Sequence, residues 1–321
     1  TLVPHNRGHV RGPNTRPRDA LEEEHVRTNP IIGLPRSVLR LPRMAPNMSL
    51  LPTPRIVTLA DDVTTRLYDT GEEHLEPVIL LHGMVATGML NWYQTFERLR
   101  GEYRLITYDQ RQHGMGHTGP FSFQALAEDA VRVADHLELE APILGGYSMG
   151  GIVSQLAARK DPSRLGGLVL AATGTGAERN AIEKITLGGL ARSQPLLNAV
   201  PEEVAREITD TPLGPHEWAL RELSRTPLTT HRKVISEVGR FNSTSWLHEL
   251  DLPVAIIKTT HDIAFPQWIQ DEMADLLPHS AVFPIHAGHA VCATQPGNFA
   301  RRMRTAIGWV VSNEHRTMRA G

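Results

Sequence analysis

Three short stretches of the chain carry residue types that can activate one another. Gly146-Tyr147-Ser148-Met149-Gly150 places a serine hydroxyl in the middle of a Gly-x-Ser-x-Gly run. That hydroxyl is a weak nucleophile at neutral pH, so it needs a base to take its proton and a third group to orient the base. Further along, Thr260-His261-Asp262 supplies a carboxylate and Ala287-Gly288-His289 an imidazole. The chain order Ser148, Asp262, His289 is one of the orders in which such triads occur. The chemistry implied is acyl transfer, with Ser148 attacking a carbonyl, His289 moving the proton and Asp262 orienting the histidine. His286 competes with His289, and Asp251 competes with Asp262.

Positions in predicted elements decide between these candidates. The run 142–147 reads as a strand and 150–159 as a helix, so Ser148 falls on the sharp turn that a nucleophile elbow requires. Side chains two residues to either side would collide with neighbouring backbone there, which accounts for Gly146 and Gly150. The run 165–171 completes a strand-helix-strand unit. A second such unit follows Pro253, with strands at 254–258 and 280–285 and a helix at 268–277. Asp262 and the 287–289 segment then follow strands at their carboxyl edge, where open sheets of this class keep ligands. Asp251 precedes its strand and belongs at the opposite end.

The remaining pattern supports the same architecture. A hairpin is expected over 55–59 and 63–69, and the apolar run 77–81 before His82-Gly83 reads as a strand buried on both faces. Another strand is expected at 103–109. Leu126, Ala130, Val133 and Leu137 mark one face of a helix over 122–139, and Phe299, Met303, Ala306 and Val310 mark a closing helix. The fold class is therefore α/β, a mostly parallel central sheet with flanking helices. Residues 55–173 and 251–321 form its core. Between them, 174–250 loses strand-like runs and reads as an inserted helical cap carrying Leu187, Leu190, Leu196, Leu197, Trp218, Leu220, Leu223, Phe241 and Trp246. Residues 1–54 hold nine of the 23 prolines with scattered arginines and read as an arm.

Composition narrows the function. The 321 residues are 40% hydrophobic and 21% charged, with a formal net charge of -2, a globular profile without the basic footprint of nucleic-acid binding. No nucleic-acid partner is expected. One cysteine, Cys292, excludes an intrachain disulfide and a cysteine-based metal site, and it reads as a small core residue. His113 and His117 are four apart, but Gly114, Gly116 and Gly119 make their segment a loop. No metal and no cofactor are expected. There is no apolar run of about 18 residues that would span a membrane as a helix. A cytoplasmic location is expected, with secretion left open because the sequence starts at Thr1 without a methionine. The oligomeric state is not readable.

Taken together, these motifs resemble the α/β-hydrolase superfamily, in its branch of capped esterases and lipases. The resemblance runs over about 55–311. His82-Gly83 resembles the family's oxyanion loop, 109–114 its Asp-x-Arg-Gly-x-Gly turn, and Ala287-Gly288-His289 its catalytic-histidine loop. Gln112 stands where that turn has glycine, and Thr259 where the acid loop has glycine. The resemblance implies a serine hydrolase acting on an ester or related carbonyl of a small to medium hydrophobic substrate. It also implies an oxyanion hole made by the backbone N–H groups of Met84 and Met149, such donors being worth ~3 kcal/mol each. Candidate substrate-binding residues are His82, Gly83, Trp92, Trp218, Phe241, Trp246 and Phe265, with simple packing as the competing account of the aromatic ones. The same triad could serve a carbon-carbon bond hydrolase, a lyase or a cofactor-free oxygenase, or stand idle in a ligand-binding protein.

Overall fold

The computed structural model describes residues 46–59, 62–177 and 215–320. The arm up to residue 45, and Leu187, Leu190, Leu196 and Leu197 of the expected cap, lie outside the described residues.

The expected hairpin forms from β1 (Arg55–Thr58) and β2 (Thr64–Asp69), paired antiparallel. Six parallel strands follow: β3 (Pro77–Leu81), β4 (Arg104–Tyr108), β5 (Ile143–Tyr147), β6 (Gly167–Ala171), β7 (Val254–Thr259) and β8 (Ser280–Ile285). The sheet runs in the order β1-β2-β4-β3-β5-β6-β7-β8. Side chains of its central strands alternate between two cores. Ile79, Leu81, Leu144, Leu168, Leu170, Val254 and Ile256 face one. Val78, Leu80, Ile143, Val169, Ala255 and Ile257 face the other. This double burial is why these strands read as continuous apolar runs.

The first core is closed by α2 (Phe123–His136), α3 (Met149–Lys160) and α6 (Gln267–Leu276). The second is closed by α1 (Gly88–Leu99) and by the long α8 (Pro296–Ala320), which follows the short α7 (Val291–Thr294). Between β6 and β7 the described residues contain two α-helices, α4 (Pro215–Ser224) and α5 (Leu228–Val238), a short 3-10 helix (Leu247–Glu249) and no strand. The last residues of the expected arm dock on α1, through Asn47 N–H to Glu97 (2.6 Å) and Arg100 to the Leu50 carbonyl (2.8 Å).

The order of strands fixes where a ligand would sit. The chain steps from β3 to β4 on one side, then crosses to β5 on the other side of β3. A sheet that reverses in this way opens a crevice at the carboxyl ends of the two strands flanking the reversal. Gly83 follows β3 there, and Ser148 follows β5.

A buried ionic cluster ties α4 to the core. The Arg66 guanidinium on β2 bonds Asp109 (2.9 Å) and both carboxylate oxygens of Glu222, one of them at 3.0 Å. The Thr87 hydroxyl also donates to Glu222, at 2.6 Å. Burial opposes the charge of Glu222, but the hydrogen bond and charge of Arg66 outweigh it and hold the carboxyl below its ordinary range.

Candidate active site

Ser148 sits between β5 and α3 with φ of +55° and ψ of -115°, a conformation that costs a residue with a side chain about 1–3 kcal/mol. The surroundings impose it. A Cβ on Gly146 would lie 2.3 Å from the Gly150 carbonyl oxygen, and one on Gly150 would lie 2.1 Å from that of Leu81. Only glycine at both positions lets the strand turn into the helix at this angle. The Ser148 N–H is anchored on the Ala171 carbonyl at the end of β6 (2.9 Å).

The other two residues come from the ends of the last two strands. Ser148 Oγ lies 3.0 Å from His289 Nε2, and His289 Nδ1 lies 2.8 Å from Asp262 Oδ2. With a carboxylate beside Nδ1, the ring proton belongs on that nitrogen, which leaves Nε2 free to accept from the serine. Asp262 is held by four donors. Its Oδ1 accepts from the N–H groups of Ala264 (2.9 Å) and Phe265 (3.0 Å), and its Oδ2 from Thr259 Oγ1 (2.8 Å) as well as from His289. The Phe265 ring stacks on the imidazole at a centroid distance of 5.7 Å. The rivals are elsewhere: Asp251 is exposed and pairs with His279 (3.1 Å), and His286 packs against His261 with ring centroids 4.1 Å apart.

Thr259 is a site residue that the sequence did not reveal. It stood out only as a departure from glycine, yet its hydroxyl supplies one of the bonds to Asp262. Gln270 supports it in turn, accepting from the Thr259 N–H (3.0 Å) and donating to the Thr259 carbonyl (3.0 Å).

Above the serine, the loop after β3 is held by buried polar groups. Gly83 N–H is taken by Asn91 Oδ1 (3.1 Å). His82 Nε2 accepts from the Gln110 N–H (3.0 Å), so its proton lies on Nδ1 and donates to the Gly83 carbonyl (2.9 Å). His113 faces the Met84 carbonyl through Nε2 (2.8 Å) and the Arg111 carbonyl through Nδ1 (2.9 Å). Burial keeps both histidines neutral, lowering His82 well below its ordinary value and His113 to about 4. Among the described residues the backbone N–H groups of Met84 and Met149 have no acceptor. Met149 begins α3, where the helix dipole favours negative charge.

Several candidate substrate-binding residues turn out to pack instead. Trp92 is fully buried between Tyr147 (6.2 Å) and Phe299 (5.9 Å). His82 is fully buried with both ring nitrogens engaged. Trp246 lies under the Arg159 guanidinium (4.6 Å), eleven residues along α3 from Ser148, or about 16 Å at the helical rise. Phe241 is its partner (6.4 Å), and Trp218 packs on Tyr93 of α1 (5.8 Å). Gly83 and Phe265 do adjoin the triad: a Cβ on Gly83 would come within 3.5 Å of Ser148 Cβ. His113, with both nitrogens on carbonyls, is not available to a metal. Cys292 is pushed up to about 11 by burial and so stays protonated at neutral pH. Among the described residues no group of three or more His, Cys, Asp or Glu is arranged to hold a metal ion, and no helix is long and apolar enough to cross a membrane.

Comparison with known proteins agrees with this architecture. Residues 76–296 match the profile of the family described as the alpha/beta hydrolase fold. Among curated relatives, 3-oxoadipate enol-lactonase 2 of Acinetobacter baylyi is 30% identical over 116 residues, covering 36% of this chain and 43% of that enzyme. The chain thus spans less than half of that relative's length. The putative carbamate hydrolase RutD of Agrobacterium fabrum is 25% identical over 250 residues, covering 71% of this chain and 91% of its own. Among solved structures, a thermophilic esterase from Thermogutta terrifontis superposes with a TM-score of 0.61 at 26% identity, covering 80% of this chain and 99% of that one. With the profile matching well over half of its length, the chain belongs to the α/β-hydrolase fold family.

Proposed function

We propose that this protein is a hydrolase that cleaves an ester or related carbonyl bond of a small to medium hydrophobic substrate through an acyl-enzyme on Ser148. One observation carries the reading: Ser148 Oγ, His289 and Asp262 form a continuous hydrogen-bonded relay of 3.0 and 2.8 Å at the sheet's crevice. In the first half-reaction the Ser148 oxygen attacks the carbonyl carbon as His289 Nε2 takes its proton. Charge gathers on the carbonyl oxygen, where the N–H groups of Met84 and Met149 would receive it. His289 then returns the proton to the leaving alkoxide. Water repeats the sequence on the acyl-enzyme and frees the acid.

The substrate class rests on the lining and on the relatives. Val85, beside Met84, and Ile263, beside Asp262, are exposed apolar side chains next to the two loops of the site. We read 174–250 as a cap that completes an apolar pocket. The relatives named above are an enol-lactonase, a putative carbamate hydrolase and an esterase by name, and lactones, carbamates and esters each have a carbonyl that bears a heteroatom leaving group. A series of p-nitrophenyl esters of increasing acyl length tests this: specificity constants should differ across the series, and a flat series or no turnover would contradict a shaped acyl pocket.

A further inference from the structure

The motif of the elbow leaves the residue before the nucleophile free to be almost any type, and here it is Tyr147. Its ring is buried, edge-on to Trp92 (6.2 Å) and Phe299 (5.6 Å), two side chains from α1 and α8. The missing Cβ of Gly83 leaves room for it, since that atom would lie 3.3 Å from Tyr147 Cδ1. From this fixed seat the hydroxyl reaches across to the loop after β8 and donates to the main-chain carbonyl of His289. The two rings also lie side by side, 5.9 Å apart.

The link matters because of where His289 sits. Its loop follows β8, which among the described residues has a neighbouring strand on one side only. The loop is tied to the neighbouring loop after β7 by the His261 N–H on the Ala287 carbonyl (2.9 Å), and the imidazole itself is 22% exposed. Ser148 and His289 are far apart in the chain, so their 3.0 Å contact depends on two loops keeping a common register. A hydroxyl borne by the residue bonded to Ser148 and gripping the backbone of His289 supplies that register directly. Burial pushes the Tyr147 hydroxyl above its ordinary range, so its proton stays in place to be donated.

We infer that Tyr147 is a positioning residue for the reaction, locking the His289 loop to the nucleophile elbow so that Nε2 stays within reach of Ser148 Oγ. The inference rests on the proposed roles of Ser148 and His289. It assigns Tyr147 no contact with substrate and no proton transfer.

Tyr147→Phe removes one oxygen and keeps the ring packing. In the 321-residue chain it should lower kcat for a p-nitrophenyl ester about tenfold, the scale of loss expected from a small misplacement of reacting groups. KM should stay within about twofold, because ring and pocket are unchanged. The rate of Ser148 labelling by a fluorophosphonate should fall in parallel, and the downfield proton resonance of His289 Nδ1–H should broaden or shift. The resonance is read without turnover, so it reports on Tyr147 whatever reaction the site performs. An unchanged resonance with unchanged kcat across the pH range would overturn the inference. Wild-type protein that is not labelled on Ser148 would count instead against the acyl-enzyme reading.

Discussion

Thr259 Oγ1 lies 2.8 Å from Asp262 Oδ2, the same oxygen that His289 Nδ1 reaches at 2.8 Å. The threonine therefore competes with the histidine for one oxygen and at the same time fixes where that oxygen points. Thr259 is fully buried, so no water replaces the bond if the hydroxyl is removed.

Thr259→Val should lower kcat/KM by about tenfold, as expected for losing one hydrogen bond to a carboxylate, and Thr259→Ser should restore most of it. Steady-state kinetics on both variants checks this. Equal activity in the valine and wild-type proteins would assign the hydroxyl to stability alone.

Glu222 ties α4, one of the described helices between β6 and β7, to the core. Glu222→Ala would leave the buried Arg66 guanidinium with Asp109 as its remaining carboxylate and take away the acceptor of Thr87. Breaking a buried pair from one side costs about 3–5 kcal/mol. Urea unfolding should show a loss of that order, while a loss below ~1 kcal/mol would mean that α4 moves away and hydrates the arginine.

The buried histidines set an acid limit on stability. His113 is held at about 4 against an ordinary 6.5, and His82 is lowered too. A depressed folded-state value means that the unfolded chain takes up the proton first as pH falls. Their neutral burial is therefore free of penalty above about pH 6.5, and stability drains away from there down to about pH 4. His113 alone should account for about 2 kcal/mol at pH 5. Unfolding midpoints measured at pH 7 and pH 5 should show this loss in the wild type, and His113→Gln should show a flatter dependence. An equal pH dependence in both would contradict it.

Much of the architecture was legible because the chemistry of the site leaves a local trace. Gly146 and Gly150 are forced by backbone contacts of 2.3 and 2.1 Å, so the elbow is written into the sequence. The strand that precedes Asp262 is a nearly continuous apolar run because both of its faces are covered, whereas β8, before the 287–289 loop, is partly exposed. Helix α1 was a local signal that went unread: Thr87 caps it, its hydroxyl accepting from the Leu90 N–H, and Met89, Trp92, Phe96 and Leu99 follow helical spacing. The rest of what escaped depends on partners distant in the chain. Gln112 looked like a break in a glycine turn, yet it adopts φ of +60° and keeps the turn. Its side chain donates to Gly119 (2.8 Å) and accepts from Lys233 of α5 (2.7 Å), contacts that no local pattern announces. Trp92, Trp218, Phe241 and Trp246 pack away from the triad while Phe265 stacks on His289, a difference that residue type alone cannot show.

The central claim is that Ser148 is an activated nucleophile, and intact mass after treatment with a fluorophosphonate tests it most directly. Wild-type protein should gain one adduct and Ser148→Ala none. Folded wild-type protein that gains no adduct, or a Ser148→Ala variant labelled equally well, would contradict the account.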